Sequence, residues 1–224
     1  MKLPVRAVRA IYKNNADVII RMQRHRLVAV VRSKSADEAY KTARAATDAG
    51  IWFVEITLTV PGALGVIERL ALRRDFYVGA GTVLSKKEGK EAIEAGARFV
   101  VSPTLELDLI PLCHKAGVAC FSGAATPTEI LAARRMGADL VKIFPADLLG
   151  GPDFIRQMQG PFPDIRFMVS GGVSLANVQE YVLAGVTGIC LGSSYLANLL
   201  AEKGNAGFVK DIKEFIKRVE EAQS

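Results

Sequence analysis

The stretch "DLVKIFPAD", residues 139–147, places a lysine inside what otherwise reads as a buried strand. Leu140, Val141, Ile143 and Phe144 surround Lys142, and Pro145 ends the run. An ammonium withdrawn from water is costly, so a lysine in such a place either sheds its proton or finds a partner. "FVEITL", residues 53–58, poses the same problem with the opposite sign at Glu55. A desolvated amine can attack a carbonyl and become an iminium, which draws electrons out of a neighbouring carbon–carbon bond. A carboxylate beside it can relay the protons. The bland alternative is a buried salt bridge.

Something must bring residues 55 and 142 together, and a repeat supplies it. "DAGIWFVEI", "EAGARFVVS", "KAGVACFSG", "RMGADLVKI" and "LAGVTGICLG" share one grammar: a helix end, a glycine, then a short apolar strand. Glycine supplies the left-handed cap that stops a helix. The markers are Gly50, Gly96, Gly117, Gly137 and Gly185, spaced by about one or two βα units. Filling in the rest predicts eight strands: 27–32, 52–58, 76–80, 98–102, 118–121, 139–144, 166–170 and 187–191. Helical patterns lie between them, among them 35–49, 62–73, 85–95, 105–116, 127–136 and 174–184. Ser35, Ser85, Thr126 and Ser174 are their expected opening caps. A last amphipathic helix is expected over about 205–221, packing through Phe208, Ile212, Phe215, Ile216 and Val219. This is the pattern of an α/β fold, a (β/α)8 TIM barrel. An open doubly wound sheet is the weaker reading, because the first βα turn holds no GxGxxG. Glu55 and Lys142 each follow their repeat glycine by five residues, so both should point inward at similar heights.

Barrel chemistry sits at the C-terminal ends of the strands. Those ends offer Arg32, then Glu55, Thr57 and Thr59, then Thr82, then Ser102 and Pro103, then Lys142 and Phe144. The last two offer Ser170–Gly172 and Gly192–Ser194. Two glycine-rich turns on the final strands, "VSGGVS" and "LGSSYL", suit a phosphate cradle of backbone amides. Arg32 and the Thr82 hydroxyl could hold a second anion, such as a carboxylate. Only His25 and His114 are present, and neither falls at a strand end. No metal site, no zinc-dependent hydrolysis and no Ser–His nucleophile is expected. What remains is Schiff-base aldol chemistry on a phosphorylated 2-oxo acid, with no cofactor.

The composition is compatible. The chain has 224 residues, half of them hydrophobic, enough for one barrel domain over 1–224. Cys113, Cys120 and Cys190 lie in apolar runs, odd in number and without CxxC, which suits a reduced, cytoplasmic protein. No run approaches the 18 or so apolar residues of a membrane span. The net charge of +6 lies within residues 1–26, where seven Lys/Arg face Asp17 alone; the other 198 residues hold 22 of each sign. A nucleic-acid surface is therefore not expected. Two readings of residues 1–26 stand: an Arg-rich transit peptide, or a loose leader followed by an amphipathic helix at 15–25 that closes one end of the barrel. The second is preferred.

The strings "VAVVR", "VEITLTVPGA", "GAGTVL", "VVSP", "TPTE", "VKIFPA", "GPFPDIRFMVSGGV" and "GSS" resemble the 2-dehydro-3-deoxy-6-phosphogluconate (KDPG) and 4-hydroxy-2-oxoglutarate (KHG) aldolases. The match begins near residue 27. The resemblance implies a class I aldolase and a homotrimer, with a phosphorylated 2-oxo sugar acid and pyruvate as ligands. It implies that Lys142 forms the Schiff base and Glu55 is the acid/base, acting through a water. It assigns Arg32 and Thr82 to the pyruvate carboxylate. Gly171, Gly172 and Ser194, in turns that also carry Ser170 and Ser193, go to the phosphate, and Pro103 and Phe144 to the wall. The chain departs from the pattern at Thr59, where some members carry arginine, at Ser170, and at Ser122–Gly123, the last two expected to touch the part of the pocket that reads sugar hydroxyls. The C4 configuration, gluconate or galactonate, stays open. So does use of 4-hydroxy-2-oxoglutarate. Outside the family, a phosphate-binding isomerase or epimerase without a Schiff base is the alternative enzyme. A non-catalytic anion-binding or RNA-associated protein is a third reading, suggested only by the basic N-terminus.

Overall fold

The computed structural model describes residues 15–223. Helix α1 (Asn15–His25) leads into eight strands: β1 (Leu27–Val31), β2 (Phe53–Thr57), β3 (Tyr77–Gly81), β4 (Phe99–Val101), β5 (Ala119–Ala124), β6 (Leu140–Ile143), β7 (Phe167–Val169) and β8 (Gly188–Leu191). Between them run α2 (Ala36–Asp48), α3 (Ala63–Ala71), α4 (Lys86–Glu94), α5 (Leu109–Lys115), α6 (Pro127–Arg135), α7 (Gly151–Gln159) and α8 (Val178–Leu183). Helix α9 (Ser193–Gln223) follows β8. The strands pair in chain order, all parallel, and β8 closes on β1. The expected (β/α)8 barrel is present.

The five marker glycines all adopt positive φ at the ends of helices, as the repeat requires. Ser35, Ser85 and Thr126 cap their helices by accepting the amide of a residue three positions on, each a contribution of about 1 kcal/mol. Thr126 completes a capping box with Glu129. Ser174 does not cap a helix. The chain turns once more, and α8 starts at Val178 because the Asn177 side chain instead spans the turn: its Oδ1 accepts the Ser174 amide and its Nδ2 donates to the Gly172 carbonyl. Helix α5 likewise begins four residues later than the pattern suggested. Two helical stretches go beyond the sequence reading: α7, and residues 193–203 of α9 ahead of a break at Gly204.

There are two cores. The outer one, between strands and helices, takes the outward residues of every strand. The inner one fills the barrel with Val28, Val30, Phe53, Phe99, Phe121 and Met168 among others. Helix α1 plugs the N-terminal end of this interior with Val18, Ile19 and Met22, the closure expected for 15–25. The loose leader expected ahead of it, residues 1–14, lies outside the described residues. Phe53, Phe99 and Phe121 meet ring to ring, at centroid distances of 5.9 and 5.4 Å, and build an aromatic floor across the barrel. Among the described residues, no helix is long and apolar enough to cross a membrane.

Candidate active site

Glu55 rises from β2 and Lys142 from β6, nearly opposite in the barrel. Both lie in the interior parity of their strands, with Phe53 and Leu140 as the inward residues two positions below. The side chains meet: Lys142 Nζ lies 3.7 Å from Glu55 Oε1. Glu55 is 1% exposed and Lys142 5%. Removing such a pair from water costs several kcal/mol per ion unless further hydrogen bonds compensate. Compensation here is incomplete, because Glu55 Oε2 is buried and has no hydrogen-bond partner among the described residues. A structural salt bridge would be expected to satisfy both oxygens.

Above the pair opens a cavity of about 610 Å³. All eleven residues singled out from the sequence line it: Lys142, Glu55, Arg32, Thr82, Pro103, Phe144, Ser170, Gly171, Gly172, Ser193 and Ser194. On one side the Arg32 guanidinium donates to Thr82 Oγ1 at 3.3 Å. Thr82 is held at φ 55°, a left-handed conformation that costs a β-branched residue about 1–3 kcal/mol. Across the cavity, Gly171 and Gly172 turn the chain at φ 107° and 66°. Beside them Ser193 and Ser194 form the first turn of α9, where free amides and the helix dipole favour an anion. The helix N-terminus behind the cradle is therefore α9 alone; α8 starts six residues after Gly172 and lacks that relation to the turn.

Other strand-end residues do not reach the cavity. Thr57 donates to the Val31 carbonyl at 3.2 Å, and its hydroxyl meets that of Thr59 at 2.9 Å. Thr59 does not line the cavity, and Arg32 is its one guanidinium among the described residues. Ser102 fastens the amide of Thr104. Ser122, which the sequence reading put near the substrate, is a correction. It shares the parity of Cys120 and Ala124, which belong to the outer core, and its hydroxyl is buried. Gly123 contributes indirectly: a Cβ there would lie 2.1 Å from the Pro103 carbonyl, so its bareness lets Pro103 close over the barrel.

Sequence reasoning missed Val30, Val173 and Tyr195 in the cavity wall. Val30 was legible, since it shares the alternation of Arg32. It also missed Cys190, inside the barrel near the charged pair. Burial pushes this thiol up to about 12, against the pull of the nearby Lys142 ammonium. Among the described residues, no group of three His, Cys, Asp or Glu could hold a metal.

A closed parallel barrel with a buried lysine–carboxylate pair at its strand ends, beneath a cavity lined by an arginine and by glycine- and serine-rich turns, fits the class of barrel enzymes that act on small anionic molecules. Comparison with known proteins narrows that class. The family model for KDPG and KHG aldolase matches residues 18–212. A 2-dehydro-3-deoxy-phosphogluconate aldolase of Pseudoalteromonas atlantica is 38% identical over 173 residues, covering 76% of this chain and 80% of that one. A solved structure described as "Native KDPGal structure" superposes with a TM-score of 0.79 at 30% identity, over 88% of this chain and 95% of that one. A KDPG aldolase from Legionella pneumophila, with pyruvate captured at low pH as a covalent carbinolamine intermediate, superposes with a TM-score of 0.73 at 27% identity. That match covers 91% of this chain and 96% of that one. The chain belongs to the KDPG and KHG aldolase family and is an aldolase, a carbon–carbon lyase.

Proposed function

We propose that the chain cleaves 2-dehydro-3-deoxy-6-phosphogluconate to pyruvate and glyceraldehyde 3-phosphate through a Schiff base on Lys142. The observation that carries this reading is the buried contact of Lys142 with Glu55 at 3.7 Å, one carboxylate oxygen left without a hydrogen bond among the described residues. Lys142, as the free amine, adds to the C2 ketone, and the carbinolamine loses water to give the iminium. Glu55, through a water, takes the proton of the C4 hydroxyl. The C3–C4 bond breaks, its electron pair enters the iminium to form an enamine, and the aldehyde leaves. The enamine is then protonated at C3, and water releases pyruvate from the lysine.

The two edges of the cavity set the direction of binding. Arg32 and Thr82 take the C1 carboxylate, and the Gly171–Gly172 turn with Ser193 and Ser194 takes the phosphate. Ser170, Pro103 and Phe144 contact the carbons between them. Borohydride added with pyruvate should fix a reduced pyruvyl group on Lys142, read by peptide mass spectrometry. A wild-type protein that stays unmodified would overturn the Schiff base. Comparing kcat/KM for the gluconate and galactonate epimers and for 4-hydroxy-2-oxoglutarate then ranks the substrates.

The same proposal includes a cytoplasmic homotrimer. Three buried free thiols agree with a reducing compartment. Leu84, Leu107 and Leu148, all in loops that follow strand ends, leave apolar surface for neighbouring chains. Light scattering should give a particle of three chains.

A further inference from the structure

Strand β3 presents Tyr77, Gly79 and Gly81 to the barrel interior, and two of these three positions have no side chain. Both spaces are filled by neighbours. A Cβ on Gly79 would lie 2.4 Å from the Phe99 ring, so the aromatic floor crosses β3 at that point. A Cβ on Gly81 would lie 1.9 Å from Glu55 Oε1, 2.4 Å from Cδ and 2.5 Å from Cγ. Glu55 is paired in register with Gly79, while Gly81 is paired with Thr57. The glutamate arm therefore climbs from its own level toward the mouth and lies across Gly81. Phe99 fills the level beneath it, and the Lys142 ammonium lies 3.7 Å away.

Nothing in the local backbone asks for glycine at 81. It sits within a paired strand and does not have positive φ. Glycine in a strand weakens it, and its usual reason is the close approach of another group. The group here is the carboxylate. We propose that Gly81 is a positioning residue for Glu55: its missing side chain is the seat that holds the carboxylate beside Lys142. A methyl group in that seat overlaps three consecutive atoms of the glutamate arm. Rotating only the terminal carboxylate cannot relieve the overlap, and the arm must swing toward the cavity.

This inference rests on the proposed role of Glu55, and the test separates the two. Gly81→Ala should lower kcat to near the level of Glu55→Ala, a loss of about 10²–10⁴-fold for a displaced acid/base, with KM nearly unchanged. In the Glu55→Ala background the seat is empty, so adding Gly81→Ala should change kcat and the thermal midpoint by less than the scatter of replicate assays. Equal fold-losses from Gly81→Ala in both backgrounds would overturn the inference, because the methyl would then act on the strand and not on the carboxylate. The comparison of Glu55→Ala with the double variant stands even if Gly81→Ala alone folds poorly. Failure of borohydride trapping on wild-type protein would instead overturn the Schiff-base reading.

Discussion

The two ends of the barrel treat their carboxylates differently. At the closed end, α1 inserts Met22 and its neighbours, and its polar residues fasten the plug. Asp17 takes the Tyr77 hydroxyl and pairs with Arg21. Asn15 donates to Asp139, whose other oxygen takes the Cys120 amide and meets His114. At the open end the charged pair is buried yet incompletely bonded, Arg32 is held by a threonine in a costly conformation, and a cavity stands over all of them. At the closed end these partners are supplied from within the chain, with His25 Nε2 and Arg26 Nε the buried exceptions among the described residues. At the open end Glu55 Oε2 is left without a hydrogen bond among the described residues, under a cavity that can admit a ligand.

Substitutions at the two ends should therefore read out differently. Lys142→Met removes the proposed nucleophile and should cut kcat on the order of 10⁴-fold or more; it also leaves Glu55 buried without its cation, so the thermal midpoint should fall. A variant that keeps a tenth of its activity would break the contrast. At the closed end, Met22→Ala empties a position that is 0% exposed and should cost about 2–5 kcal/mol in denaturant unfolding, with kcat of the folded enzyme unchanged.

Arg32→Ala should raise KM for the oxo acid about 10–100-fold, the value of a charge-assisted hydrogen bond of about 1.5–3 kcal/mol, with a much smaller change in kcat. A drop in kcat alone would move Arg32 from binding to chemistry.

The smallest effect concerns His25, stacked on Trp52 at 4.3 Å with its Nε2 buried and unpartnered among the described residues. Burial, reinforced by Arg24 and Arg21, holds this imidazole below its ordinary range. The unfolded chain then binds a proton that the folded one refuses, so stability is full above about pH 6.5 and declines as the pH falls below it. The fall in thermal midpoint between pH 7 and 5.5 should be shallower in His25→Phe than in wild type. Parallel curves would show that the closed end does not sense this proton.

Much of this was legible because it depends on local rules. Gly50 and Gly137 announce helix ends, and alternation fixes which way Glu55 and Lys142 point from there. The eleven residues share one cavity because a parallel barrel gathers every strand end at one mouth. The misses have physical reasons too. Ser174 looked like a cap, but Asn177 competes for the same turn and fixes it one turn later. The resemblance puts Ser122 near the sugar-reading part of the pocket, whereas its parity with Cys120 places it outward. Helix α7 escaped because glycines and prolines at 150–152 and 160–163 break its apolar pattern on both sides.

The sequence by itself determined the repeat, the inward faces of the strands and the chemical types gathered at the mouth, since each follows from neighbours a few residues apart. Only the tertiary structure decided that Glu55 lies across Gly81 and comes 3.7 Å from Lys142. Those relations depend on the stagger with which eight strands close into a barrel, and stagger is a property of the closed sheet, not of any one strand.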